Sequence, residues 1–129
     1  MPTENQLARV IMDEAFEVHR ALGPGLFESV YEGILQRRLM AQGFHVERQL
    51  LVPVTYKGMT FDEGFRADLY IERKVVVELK SLEELAPVHK KQVLTYARLL
   101  DCRFGLLINF GAAYLKDGFR RIVNGLEEE

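Results

Sequence analysis

The chain has 129 residues and a mass of 14.9 kDa, enough for one domain with its own core and too short for two. Its 48% hydrophobic and 28% charged residues exclude a disordered composition, and its lone cysteine, Cys102, excludes an internal disulfide and a cysteine-based zinc site. The net charge of −2 offers no general attraction to polyanions, although without Glu127, Glu128 and Glu129 seventeen Lys and Arg face sixteen Asp and Glu. Residues 1–126 therefore read as a single, nearly neutral domain, and residues 127–129 as an acidic C-terminal tail. No apolar run approaches the roughly 20 residues needed to cross a bilayer, and the first six residues have neither the basic end nor the apolar core of a signal peptide. A cytoplasmic location, away from membranes, is the default expectation.

Leu7, Val10, Ile11, Ala15, Val18 and Leu22 recur at helical spacing and predict a first helix from about Glu4 to Leu22, stopped by Gly23 and Pro24. A second helix is predicted from about Phe27 to Gln42, with Val30, Ile34, Leu35 and Leu39 on its buried side and Gly43 where a left-handed cap belongs. From Phe44 the period changes to two. Phe44, Val46 and Leu50 to Tyr56 read as a strand closed by a turn at Lys57-Gly58. Phe65, Ala67, Leu69 and Ile71 alternate with Arg66, Asp68 and Tyr70 as a half-buried strand, and Lys74 to Lys80 forms a third around Val75-Val76-Val77. A helix from about Pro87 to Leu100 follows, opened by a proline whose missing N–H costs nothing in a first turn. Gly105 to Phe110 reads as a buried central strand, Lys116-Asp117-Gly118 as a turn, and Phe119 to Val123 as a short element of unassigned type. Two helices, three strands, a helix and a strand imply an α/β fold with a mixed central sheet flanked by helices. The meander pairs antiparallel and the last helix returns the chain for a parallel strand.

The informative residues are polar ones where apolar ones belong. Glu78 and Lys80 alternate with Leu79 and so share a face, while Asp68 stands mid-strand before them. Two acids and a lysine on adjacent half-buried strands are costly unless something compensates. A divalent cation would, and hard oxygen ligands suit magnesium or manganese. Lys80 would then orient a water or stabilise a pentavalent phosphate. Register decides whether the acids meet. Asp68 and Glu78 share a face only if the indices of paired residues add to an even number, which requires an odd loop, such as three residues around Glu72-Arg73. Neither residue is the glycine or asparagine that tight two-residue turns prefer, so the odd loop is the expectation.

An acid, a gap of about ten residues and Glu-x-Lys at a strand end resemble the PD-(D/E)XK nuclease superfamily. Gly25-Leu26-Phe27-Glu28-Ser29-Val30-Tyr31 is similar to the GxxExxY signature, and Phe65-Arg66-Ala67-Asp68 with Val77-Glu78-Leu79-Lys80 resembles the remaining core of the GxxExxY protein family within that superfamily. The similarity continues through Pro87-Val88-His89 and Leu107-Ile108-Asn109-Phe110-Gly111 to Lys116-Asp117-Gly118-Phe119-Arg120-Arg121, nearly the whole chain. Ala67 stands where the superfamily's name has proline, at a position that varies widely. The resemblance implies a restriction-endonuclease-like core (αβββαβ). It also implies that Asp68, Glu78 and Glu28 bind one or two magnesium or manganese ions and that Lys80 assists an attacking, metal-bound water. Gln92 and Tyr96, one turn apart, resemble the Gln-x-x-x-Tyr motif of recombination-type exonucleases in the superfamily.

His89, one turn before Gln92, a patch of Arg120 and Arg121 with Lys116, and the pairs Lys90-Lys91 and Arg37-Arg38 are the remaining candidates to touch substrate phosphates. Tyr31 is expected to pack in the core or to hold Glu28, and Cys102 to be a buried or semi-buried thiol without function. The leading expectation is a metal-dependent nuclease acting on nucleic acid, DNA before RNA. A homodimer would double the phosphate-contacting surface of so small a chain. The alternatives are a catalytically silent module that binds nucleic acid or a protein, and a hydrolase of smaller phosphate esters.

Overall fold

Thr3 starts the first helix. Its Oγ1 accepts the Gln6 N–H at 3.1 Å while Gln6 Oε1 accepts the Thr3 N–H at 2.8 Å, a reciprocal cap that satisfies two donors left open at a helix start. In this computed structural model, which describes residues 1–125, that helix is α1 (Glu4–Leu22), and it ends where Gly23 takes φ +74° and donates to His19 O at 2.8 Å. The expected domain end at residue 126 and the acidic tail lie outside the described residues. After a short loop comes α2 (Glu28–Ala41), and buried Glu14 clamps the two helices by accepting from Arg38 Nε at 3.1 Å and Gln42 Nε2 at 2.5 Å. The expected inner side of α2 needs correction by one position. Tyr31, Leu35 and Leu39 are fully buried at four-residue spacing, while Val30 is 41% exposed. The larger ring takes the interior because it stacks on Phe110, centroids 4.3 Å apart and planes within 6°.

The sheet has five strands in sequence order, β1 (Val46–Tyr56), β2 (Met59–Ile71), β3 (Val75–Lys80), β4 (Phe104–Asn109) and β5 (Phe119–Val123). Neighbours pair antiparallel except β3 and β4, which are parallel and joined through the crossover helix α3 (Pro87–Leu99). The element left unassigned by pattern is thus β5, preceded by one 3-10 turn over Leu115–Asp117. β2 begins at Met59 rather than near Phe65, because Lys57 and Gly58 form a two-residue turn with both φ positive and the hairpin closes at Tyr56↔Met59.

Alternation along β3 sends Val75, Val77 and Leu79 into one core with α1 and α2, and Val76 into a second core with Ala97 of α3, Tyr70 and Cys102. Glu78 and Lys80 follow the parity of Val76 and so belong to the α3 side. Helix α3 lies close on β4: a Cβ at Gly105 would stand 2.6 Å from Val93 Cγ1. The segment after β3 is fixed from behind by buried Asn109, whose Oδ1 accepts the Leu82 N–H and whose Nδ2 donates to Leu82 O, both at 2.9 Å. Gly111 abuts the same segment, with space for a Cβ only 2.2 Å from Leu82 O.

Gly111→Ala should therefore push Leu82 away from Asn109 and destabilise the domain by about 2 kcal/mol, the usual scale of overpacking. Thermal melts of the two proteins check this, and a parent-like melting temperature would contradict it.

Candidate active site

The β2–β3 ladder runs from Ile71↔Val75 to Leu69↔Val77 and stops. The three-residue connection Glu72 to Lys74, with Glu72 and Arg73 at φ +53° and +50°, is the odd loop expected from the sequence, so Asp68 and Glu78 stand opposite each other on one face. Beyond the stop, side chains take over from backbone. Glu78 Oε2 accepts the Asp68 N–H at 2.8 Å, and Asp68 Oδ2 accepts the Leu79 N–H at 2.9 Å. Each carboxylate is thus oriented by the strand that carries the other.

A third acid joins them, and it is Glu32 rather than Glu28. Glu32, 3% exposed on α2, accepts from Arg48 Nε at 2.7 Å and from Gln49 Nε2 at 2.9 Å, and the same Gln49 nitrogen reaches Asp68 Oδ1 at 3.2 Å. Gln49 makes this bridge from a left-handed backbone, φ +53°, inside β1. Such a conformation costs a non-glycine residue on the order of 1 kcal/mol and concentrates at functional positions. Glu28, one turn earlier, is exposed and lies in an open hollow with Gly25, Leu26, Phe27, Ser29 and Ser81.

Burial pushes the Glu78 carboxyl up to about 8, helped by the charge of Asp68 and opposed by the Asp68 N–H and Lys80. Asp68 is raised by burial as well, against the pull of the Leu79 N–H, Gln49 and Lys80 and with a further push from Glu32. Lys80 therefore stands where both acids feel its charge. The Tyr96 hydroxyl is raised first by burial and then by the charges of Glu78 and Asp68, with Gln92 acting against the rise. Its ring stacks on Phe65 at 4.2 Å. Asp68, Glu78, Lys80, Gln92 and Tyr96 are brought together; Glu28 does not join their hydrogen bonds.

The remaining candidates divide. His89 Nδ1 accepts the Ala86 N–H at 2.9 Å, which ties its ring to the start of α3. Arg120, opposite Leu107, turns to the α3 side and lines a hollow with Lys90, Lys91 and Asp117. Arg121 turns to the other side by strand alternation, donating to Asn5 Oδ1 at 2.7 Å and covering the Phe104 ring at 4.3 Å. The two arginines therefore do not form one patch. Cys102 is buried, its thiol pushed up to about 11 by burial.

Among the described residues no three His, Cys, Asp or Glu side chains cluster as a ready-made metal cage. The Asp68–Glu78 pair nevertheless fits a magnesium-like ion, which takes one or two protein carboxylates and fills its other positions with water and phosphate. Glu78 is 4% exposed, and one of its oxygens has no hydrogen-bond partner among the described residues, the signature of a buried acceptor awaiting a ligand. The hard oxygen donors match that class of ion.

Because folding raises the Glu78 pKa above its ordinary 4.5, the native state binds the extra proton and loses stability as pH climbs from about 4.5 through about 8. In EDTA, Glu78→Gln should therefore melt several degrees above the parent at pH 9, with the gap closing below pH 4.5. A gap independent of pH would contradict the buried-acid assignment.

A family model of the PD-(D/E)XK nuclease superfamily matches residues 5–122. No curated protein and no solved structure gives a significant match to the chain. No helix among the described residues is long and apolar enough to cross a membrane. With a mixed sheet, an acid facing Glu-x-Lys across two neighbouring strands, and a family match over nearly its whole length, the chain belongs to the PD-(D/E)XK nuclease superfamily.

Proposed function

We propose that this domain is a divalent-metal-dependent nuclease that hydrolyses phosphodiester bonds in DNA, with magnesium or manganese as its ion. The observation that carries this reading is the reciprocal seating of Asp68 and Glu78 across an opened strand pair, with Lys80 on the same strand and of the same parity as Glu78. Asp68 and Glu78 are the residues that would hold the cation, which when bound supplies charge neutralisation at a phosphate and a lowered pKa for water. Gln49 keeps Asp68 in orientation, and Glu32, balanced by Arg48, keeps Gln49.

Lys80 is a compact charge suited to orienting the attacking water or a non-bridging phosphate oxygen. The Tyr96 hydroxyl, a phenol whose pKa burial raises further, is a donor suited to the same phosphate, with Gln92 beside it. Arg120, Lys90 and Lys91 line the hollow at the start of α3, where the neighbouring phosphates of a bound strand would run, next to His89. Above about pH 8, where Glu78 too is ionised, two acids against Lys80 repel phosphate unless a cation is bound, so substrate binding at this site should come to depend on the metal.

End-labelled single- and double-stranded DNA and RNA incubated with magnesium or manganese test the reading directly. Cleavage should disappear in EDTA and fall at least about 100-fold in Asp68→Asn and in Lys80→Ala. Undiminished cleavage in excess EDTA would contradict it, and metal binding without cleavage of any polymer would favour the silent module.

A further inference from the structure

The loop between α1 and α2 presents an aromatic ring to water beside the site. Phe27 is 83% exposed, although a phenyl ring is among the costliest side chains to leave solvated. The exposure is not a consequence of a loose loop. Tyr31 Oη donates to Gly23 O at 2.6 Å and accepts the Leu26 N–H at 3.2 Å, Phe27 O accepts the Val30 N–H at 3.0 Å, and Ser81 Oγ donates to Leu26 O at 2.7 Å. The backbone is pinned on both sides of the ring. Ser81 follows Lys80 directly, so the same bond couples the loop to the end of the strand that carries Glu78 and Lys80.

Phe27 forms one wall of an open hollow of about 500 Å³ whose polar lining is Glu28, Ser29 and Ser81, without a lysine or arginine. A phosphate is unwelcome there because its only charged neighbour is an acid. A nucleobase meets the opposite conditions: a flat apolar face for the ring, and N–H donors on its edge for Glu28 and the hydroxyls. A paired base in a duplex offers neither, since its face is stacked and its edge is bonded.

We propose that Phe27 is a stacking platform for one unpaired base of the strand being cut, with the Glu28 carboxylate accepting from the base edge. The proposal rests on the nucleic-acid reading above and narrows it to single-stranded or frayed substrates. The chain contains no tryptophan, so Phe27→Trp installs a sole tryptophan at the platform, excited selectively at wavelengths the tyrosines do not absorb. In a Lys80→Ala background with calcium, which keeps both metal-holding acids, a single-stranded oligonucleotide should quench this tryptophan, while a blunt duplex and an abasic strand of equal length should not. Phe27→Ala and Phe27→Leu should both weaken single-strand binding about tenfold, because either removes the aromatic face.

Equal quenching by the abasic strand would overturn the stacking role, as would parent-like binding by Phe27→Leu, which would mark a merely apolar contact. Cleavage by the parent without any quenching overturns the platform and leaves the nuclease reading standing. Quenching by the single strand without cleavage by the parent supports the platform and removes the nuclease reading.

Discussion

Two carboxyl groups, Glu78 buried and Asp68 half-buried, are held face to face, and the rest of the domain is arranged around that constraint. The backbone ladder between β2 and β3 ends at Leu69↔Val77, and the amides of Asp68 and Leu79 turn to the carboxylates of Glu78 and Asp68 instead. Each acid therefore satisfies a donor that the opened sheet would otherwise leave unpaired. The arrangement is stable enough to form, yet it leaves one Glu78 oxygen unsatisfied and both acids harder to ionise than usual. A cation would relieve both costs together, which would link the fold to the chemistry of its superfamily.

The surroundings serve to fix the two strand ends. Glu32, Arg48 and Gln49 hold Asp68 from the helix α2 side, and the left-handed turn of backbone at Gln49 is what directs its amide to two acids at once. On the other flank Asn109 and Gly111 lock Leu82, while Tyr31 and Ser81 lock the loop at Phe27. Lys80 lies between these locks. Its neighbours on both sides are thus set by hydrogen bonds within the chain before any substrate arrives, the condition under which fixed charges act most strongly on a developing one.

Local pattern carried the fold and the centre of the site. The extent of α1 followed from its apolar spacing and its Gly23-Pro24 stop, and the shared face of Asp68 and Glu78 followed from parity plus the absence of a tight-turn residue at Glu72-Arg73. The supporting residues were less legible because their partners are distant in sequence. Gln49 sits in what reads as an ordinary strand, and its only local sign is that Arg48-Gln49 interrupts the alternation between Val46 and Leu50. Glu32 could have been found by placing Tyr31, Leu35 and Leu39 inside, which turns the next residue inward too. Arg121 shows the converse error: adjacency in sequence suggested one basic patch, whereas neighbours on a strand face opposite sides.

The central claim is that the desolvated Asp68–Glu78 pair is a cation site. Titration calorimetry with manganese at pH 7, run in buffers of different ionisation heat, counts the protons displaced on binding. With Glu78 raised to about 8, binding to the parent should release about one proton, and the release should fade above pH 9. Asp68→Asn should bind far more weakly. Manganese bound equally by both proteins, or bound by the parent at pH 7 with no proton released, would contradict the account.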